Sequence, residues 1–264
     1  MRLQIQKYIL LFGIANNSNY LRLSILFTKQ NKDIMKLKNL AMLFAASALM
    51  LTSCDILKPL PETGLQFYST YTSQEIEDYV YPMLDEFDMS QAGNGGERTP
   101  LSQILRRYDN IYEACVGESY PDDTAAVNRL LDLAYSEGVF DRDLILFKWV
   151  ETEGDVLELC ALKTEGSGRA ALGGDIVEYA ESRYNERLDL YCLFVRFKPM
   201  AAMSFLNFTE RNIGHPIAIV INGRLRCTPF IQYPIYGGVI DIRGSFTKEE
   251  SEMLAEELTN GRSH

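Results

Sequence analysis

The chain has 264 residues, of which 47% are hydrophobic and 23% are charged, with 18 glycines and 9 prolines. This is the composition of a globular protein with one or two domains, not of a disordered or fibrous one. The 36 acidic and 26 basic residues give a formal net charge of -10, so we expect no binding to the phosphate backbone of nucleic acid. No apolar run approaches the roughly 20 residues of a membrane-spanning helix, which excludes an integral channel or pump.

The basic residues are concentrated at the N-terminus. Seven of them but only one acidic residue, Asp33, precede Cys54, which leaves 19 basic and 35 acidic residues from Cys54 onward. Residues 35–39 are a short basic segment, and residues 40–51 are an uncharged apolar run. As a helix this run would reach about 18 Å, well short of a hydrocarbon core of about 30 Å. The pattern therefore predicts a cleaved signal peptide.

The residues that follow the apolar run, Leu51-Thr52-Ser53-Cys54, resemble a bacterial lipobox, whose cysteine receives a diacylglyceryl group. We therefore expect residues 35–53 to be a lipoprotein signal peptide and residues 1–34 to be an upstream extension that is not native, the alternative being a weakly folded extension of the protein. Two acyl chains give stable membrane anchoring, so Cys54 would bind a lipid membrane. The rest of the chain would lie outside the cytoplasm, on the periplasmic side of the bacterial cell envelope. The alternative is an ordinary cysteine behind a soluble protein's signal peptide.

Residues 54–99 are predicted to be a tether with a short helix. Residues 58–72 contain Pro59, Pro61 and Gly64 and show little periodicity, which is typical of a linker. Residues 73–88 carry a helical apolar stripe that Pro82 interrupts. A glycine-rich loop is predicted over residues 92–100.

From residue 100 onward, strand and helix patterns alternate. Strands are predicted at 111–116, 144–150, 156–162, 190–197, 217–221 and 239–242, with an irregular strand at 225–235. Helices are predicted from Asp122 or Asp123 to Gly138, over 199–212, and after a capping box formed by Thr247 and Glu250. Asn222-Gly223 predicts a hairpin turn. The prediction is an α+β fold, a mainly antiparallel sheet with helices packed on one face.

Six short motifs in the last third of the chain resemble a known family. They are Asn212-Ile213-Gly214, Ala218-Ile219-Val220, Gly223, Pro229 with Ile231, Gly237-Gly238, and Ile242-x-Gly244-x-Phe246-Thr247. In this order they are similar to the head subdomain of the first large periplasmic domain of SecD and of fused SecD–SecF, accessory subunits of the bacterial protein-export translocase. A weaker similarity upstream, through residues 123–128, 143–144 and 172–177, extends the expected head domain to residues 100–261.

The resemblance implies a head that contacts unfolded or exported polypeptides, or translocase components, outside the membrane. Two departures change its surface: Asn222 stands where the family usually has Asp, and Cys227-Thr228 precede Pro229 where the family has Ser-Ala. The chain has no multi-helix membrane region, so we expect no proton-driven motor. The alternatives are a constitutive structural or assembly subunit of an envelope complex, and a hydrolase that uses a pair of acids.

The sequence offers no catalytic, cofactor-binding or metal-binding set. The two histidines, His215 and His264, have no partner at ligand spacing, and we expect no enzyme activity and no cofactor. The candidate peptide-contact residues are an aromatic and aliphatic series around two prolines: Phe230, Ile231, Tyr233, Ile235 and Tyr236. If one side of this segment is exposed, it could accept an extended peptide by strand addition. The alternative is that the series packs in the core.

Four cysteines remain after Cys54: Cys115, Cys160, Cys192 and Cys227. In an oxidising envelope they could form two disulfides in any of three connectivities. Buried free cysteines are equally common in strands. Because no CxxC spacing is present and the family's head does not depend on bridges, the reduced state is favoured.

Overall fold

The computed structural model describes residues 64–92, 100–107, 114–152, 154–166 and 168–260. All of these residues belong to one compact unit, Asp55–His264. The predicted upstream extension, the signal peptide and Cys54 lie outside the described residues, as does most of the glycine-rich loop predicted at 92–100.

The described residues contain nine strands, and every pairing between them is antiparallel. In chain order they are β1 (Leu65–Thr70), β2 (Cys115–Ser119), β3 (Ile145–Glu151), β4 (Leu157–Lys163), β5 (Val177–Asn185), β6 (Leu190–Phe197), β7 (Ile217–Ile221), β8 (Arg224–Cys227) and β9 (Val239–Phe246). One sheet has six strands, five of them in the order β2-β4-β1-β7-β8, and its sixth strand, β3, pairs with β4 outside this order. The second sheet has the order β5-β6-β9. The predicted α+β class is confirmed, although the strands form two sheets.

The helices begin with α1 (Ser73–Glu75), which continues through a π-helical turn (Ile76–Val80) into α2 (Tyr81–Ala92). The others are α3 (Leu101–Ile104), α4 (Pro121–Ser136), α5 (Pro199–Arg211) and α6 (Lys248–Asn260). The sequence predicts that Pro82 interrupts this helix, but the helix continues through Pro82, and only its type changes, from a π-helical turn to an α-helix. Because Pro82 has no N–H to donate one turn back, the wider π-helical turn precedes it.

The predicted tether is wrong for residues 65–70, which form the central strand β1. Its residues pair with β7 from Leu65↔Ile221 to Ser69↔Ile217. On its other edge, the Phe67 N–H donates to the Leu172 carbonyl at 2.8 Å, and the strand's end pairs with β4. Nearly every residue of β1 is buried, so both faces are covered and the strand lacks the apolar–polar alternation that would have revealed it.

Most other predicted elements are confirmed with shifted boundaries. The strands β3, β4, β6 and β7 and the helices α4, α5 and α6 lie where the sequence places them. Strand β2 begins at Cys115, β8 ends at Cys227, β9 extends to Phe246, and β5 was not predicted. Helix α4 begins at Pro121, and the side chain of its N-cap residue, Tyr120, makes no capping hydrogen bond. Asp122 and Asp123 therefore lie in the first turn of the helix and do not cap it.

The aromatic side chain of Phe67 connects β1 to the second sheet and to α5. Its ring centroid lies 4.9 Å from that of Phe205 on α5 and 5.8 Å from that of Phe197 on β6. Phe208 completes the cluster at 6.3 Å. Aromatic pairs at these separations add to the burial of their large apolar surfaces. The next residue, Tyr68, faces a different core, formed between strands of the first sheet.

The β7–β8 hairpin also holds β1 and α6. Asn222 and Gly223 have φ angles of 51° and 78°, the conformation that a type I′ turn requires, so the predicted hairpin is confirmed. The Asn222 side chain accepts a hydrogen bond from the Gly64 N–H at 2.8 Å and donates one to Glu257 of α6 at 2.6 Å.

The capping box predicted for α6 is only half formed. The Thr247 hydroxyl accepts a hydrogen bond from the Glu250 N–H at 3.1 Å, as expected. The Glu250 carboxylate instead forms an ion pair with Arg226 of β8 at 2.6 Å. Because Arg226 is largely buried and therefore needs an anionic partner, the carboxylate binds the guanidinium and ties α6 to β8.

Candidate peptide-contact surface

The segment between β8 and β9 contains all five predicted contact residues. This segment, residues 228–238, is called the aromatic loop below. Of the irregular strand predicted at 225–235, the regular part ends at Cys227, and beyond it Phe230 forms an isolated β-bridge with Pro216. Three backbone hydrogen bonds hold its first half against the start of β7. The Ile217 N–H donates to the Pro229 carbonyl at 3.0 Å, Ile231 donates to His215 at 3.0 Å, and Gly214 donates to Ile231 at 2.8 Å.

The second half of the aromatic loop lies along α5. The Ile235 N–H donates to the Thr209 hydroxyl at 3.0 Å, and the Gly238 carbonyl accepts from the Phe197 N–H at 2.8 Å. Gly238 has a φ of +63°, and a Cβ there would lie 2.5 Å from the Cβ of Ala202. Only glycine therefore permits this close approach between loop and helix.

The structure separates the five candidates into two groups. Ile231 is only 4% exposed and Ile235 packs against the same core, so for these two the core alternative is correct. The three aromatic residues are exposed: Phe230 by 54%, Tyr233 by 77% and Tyr236 by 67%. The aliphatic side chains therefore anchor the loop, and the aromatic side chains are accessible to a partner.

Strand addition along this loop stays a prediction. The N–H groups of Ile231 and Ile235 and the carbonyls of Pro229 and Ile231 are already used inside the protein. Successive residues of an extended segment direct their N–H and C=O groups to opposite edges, so the bonds of Pro229 and Ile231 occupy only the edge that faces β7, and an added peptide would pair with the other edge. The three exposed aromatic side chains are available for contact in either mode.

Helix α5 adds exposed methionines that are not among the residues predicted from the sequence. Met200 is 82% exposed, and Met203, three residues later on the same side of the helix, is also exposed. The opposite side of α5 carries the buried Phe205 and Phe208. The sequence could have predicted this exposure, because both methionines lie outside the apolar stripe of the amphipathic helix and therefore face away from the core. Exposed apolar side chains thus occur on both elements that meet at Gly238.

The structure shows no catalytic arrangement at this surface. His215 is exposed at a turn, where its N–H donates to the Asn212 carbonyl at 3.1 Å. Within the part of the chain that the structure describes, no group of three or more His, Cys, Asp or Glu side chains could hold a metal ion. None of the helices in that part has the length and apolar content of a membrane span.

A family model described as SecDF, P1 head subdomain, matches residues 159–262. These residues form a SecD-like head subdomain. It includes the unit β6-α5-β7-β8-β9-α6 and the aromatic loop. The upstream residues 100–158, which the sequence resemblance also assigned to the head, lie outside this match, so their assignment stays a prediction.

Curated relatives also resemble this chain, but each match covers only part of the chain and part of the relative. The protein translocase subunits SecD of Magnetococcus marinus and of Calditerrivibrio nitroreducens are each 34% identical to this chain, over 93 and 92 residues. The match covers 35% of this chain and 18% of either relative, so the chain spans less than a fifth of their length. A solved structure, described as a membrane component SecDF that enhances protein export, is 16% identical, with 75% of this chain and 93% of that chain aligned at a TM-score of 0.33.

The close approach at Gly238 predicts a matched pair of substitutions. Gly237→Ala introduces a side chain at a φ of +82° with nothing within 4 Å, so it should lower the free energy of unfolding by about 1 kcal/mol through backbone strain alone. Gly238→Ala adds the collision with Ala202 and should lower it by about 1–3 kcal/mol more. Urea unfolding measures both. Equal midpoints for the two variants would show that the aromatic loop is not held against α5.

Proposed function

We propose that this chain is a membrane-anchored, non-enzymatic envelope lipoprotein whose SecD-like head contacts extended polypeptides during protein export. One observation carries the proposal: Phe230, Tyr233 and Tyr236 remain exposed on a loop whose backbone is hydrogen-bonded at both ends to the head. The family match supports the connection with export, and the lipobox-like residues before Cys54 support the anchor.

The exposed side chains suit a partner without a fixed sequence. Aromatic side chains offer large contact areas and have few rotatable bonds, so ordering them on binding costs little entropy. The methionines of α5 are flexible and polarisable and adapt to different apolar partners. Because the loop backbone is already fixed, it pays no ordering cost when a polypeptide binds. The arrangement favours brief, side-chain contacts with unfolded chains.

The proposed anchor would keep these contacts at a membrane. Each buried methylene of an acyl chain contributes about 0.8 kcal/mol to membrane binding, and two chains give a stable attachment. A head attached through Cys54 would therefore remain near polypeptides that emerge from the membrane. The matched segment represents 18% of the SecD relatives, so we do not extend their other activities to this chain.

Photocrosslinking in cells tests the contact surface. A photoreactive phenylalanine analogue would replace Tyr233 or Tyr236 in the full chain. We expect adducts with many different exported polypeptides, and we expect them to disappear when export is blocked. The matched control is Tyr120, which is also exposed but lies outside the matched segment; it should give no such adducts.

The alternatives predict different adducts. One discrete, stoichiometric partner at Tyr233 and Tyr236 would indicate an assembly subunit and contradict the proposal. The same mixture of adducts from Tyr120 would show that the aromatic loop has no special role. Substituting all three exposed aromatics with serine should reduce crosslinking from Met203, while the stability stays within about 0.5 kcal/mol because the side chains are exposed.

The anchor is tested by mass spectrometry of the mature N-terminus. We expect the mature protein to begin at Cys54 with a mass increase equal to its acyl groups, and to fractionate with membranes. Cys54→Ser should remain unprocessed because the acceptor thiol is missing. A mature, unacylated chain recovered in the soluble fraction would contradict the proposed anchor and leave the contact surface to be judged by crosslinking alone.

A further inference from the structure

Two of the four described cysteines face each other across adjacent strands. Cys115 of β2 is registered opposite Cys160 of β4, and both are buried. The Cys115 thiol also donates to the Glu158 carboxylate at 3.2 Å. Both thiols are unbridged in this structure.

The backbone geometry of this pair suits a covalent bridge. The neighbouring pair is hydrogen-bonded, since the Ala161 N–H donates to the Ala114 carbonyl at 2.9 Å. The register of this ladder shifts between Cys115 and Gly117, on the far side of the pair from this bond. In an antiparallel ladder the two kinds of pair alternate, so Cys115 and Cys160 form the closer, non-hydrogen-bonded kind, whose Cα atoms are typically about 4.5 Å apart. This separation lies within the range of about 4.4–6.8 Å found for disulfides.

The other two cysteines lack such a partner. Cys192 of β6 is registered opposite Arg183 on one side and Arg243 on the other, and Cys227 of β8 is registered opposite Ile219. Cys227 packs against the core that contains Leu193. Because side chains alternate along a strand, Cys192 points to the opposite face of β6 from Leu193. Cys192 and Cys227 are therefore not placed to join each other.

We propose that Cys115 and Cys160 form a cross-strand disulfide when the chain folds in the presence of a low-molecular-weight disulfide such as oxidised glutathione. One protein thiolate attacks the glutathione disulfide and releases one glutathione as its thiolate. The second protein thiolate then attacks the mixed disulfide and releases the other glutathione. The protein loses two hydrogen atoms in total, and one oxidised glutathione becomes two reduced glutathiones.

The bond should form before β2 and β4 are fully packed. In the folded protein the hydrogen bond with Cys160 raises the pKa of the Cys115 thiol, and burial and the Glu158 carboxylate raise it further. The reactive thiolate is therefore suppressed once the sheet is complete. The bridge would close a chain segment that contains α4 and β3, and so would restrict the unfolded chain.

Peptide mapping tests the proposal on the full chain with Cys54→Ser, which removes the fifth thiol. The reduced protein is unfolded in urea, refolded by dilution with oxidised and reduced glutathione, alkylated and digested. We expect one linked peptide pair that joins Cys115 to Cys160, lighter than its two thiol peptides by two hydrogens. Cys192 and Cys227 should be alkylated. The pair should persist when both Cys192 and Cys227 are replaced by serine, and disappear with Cys160→Ser.

The stability of the oxidised protein provides a second readout. Oxidation should raise the ratio of folded to unfolded protein by about 30-fold or more, measured by urea unfolding with and without reductant. No change is expected in the Cys160→Ser variant. A linkage that involves Cys192 or Cys227, or full alkylation of Cys115 and Cys160 after refolding, would overturn the proposal. Neither readout depends on polypeptide contact, so the disulfide and the proposed function can fail separately.

Discussion

The position of β1 determines how the rest of the structure is assembled. One edge of this strand pairs with β7, and the other is bonded to Leu172 and β4. Its Phe67 side chain fills the space between α5 and β6. Strand β1 precedes the SecD-like segment of residues 159–262. The sheet and the core of that segment therefore both include residues from earlier in the chain. The matched segment therefore shares a hydrophobic interior with β1, and it does not pack as a separate module.

The candidate contact surface depends on this shared interior. The buried side of α5 packs Phe205 and Phe208 against Phe67, and Ile231 enters the same core from the aromatic loop. A loop anchored in this way can keep Tyr233 and Tyr236 exposed without the loop collapsing onto the protein. Exposed aromatic side chains lose favourable burial, so their retention on a well-anchored loop is consistent with a contact role and gives no benefit to folding.

Strong local signals made much of the head predictable. The unbroken apolar run of β7 and the Asn222-Gly223 turn specify a hairpin by themselves, because few residues accept positive φ at both positions. Strand β1 was missed because burial on both faces removed its alternation, and nearby prolines suggested a linker. The pairing of Glu250 with Arg226 was unpredictable for another reason: an ion pair between distant residues leaves no trace in local sequence. Which members of the aromatic loop are exposed likewise depends on packing against α5.

Hydrogen exchange on the full chain tests the central role of β1 most directly. In this account the amides of residues 65–71 are bonded to β7, Leu172 and Ala161, so they can exchange only when the core around Phe67 opens. Mass spectrometry should find peptides from residues 65–71 and from residues 217–221 equally protected, and denaturant should release them together. Rapid exchange of residues 65–71 while residues 217–221 stay protected would show that the head folds without β1, and would contradict the account.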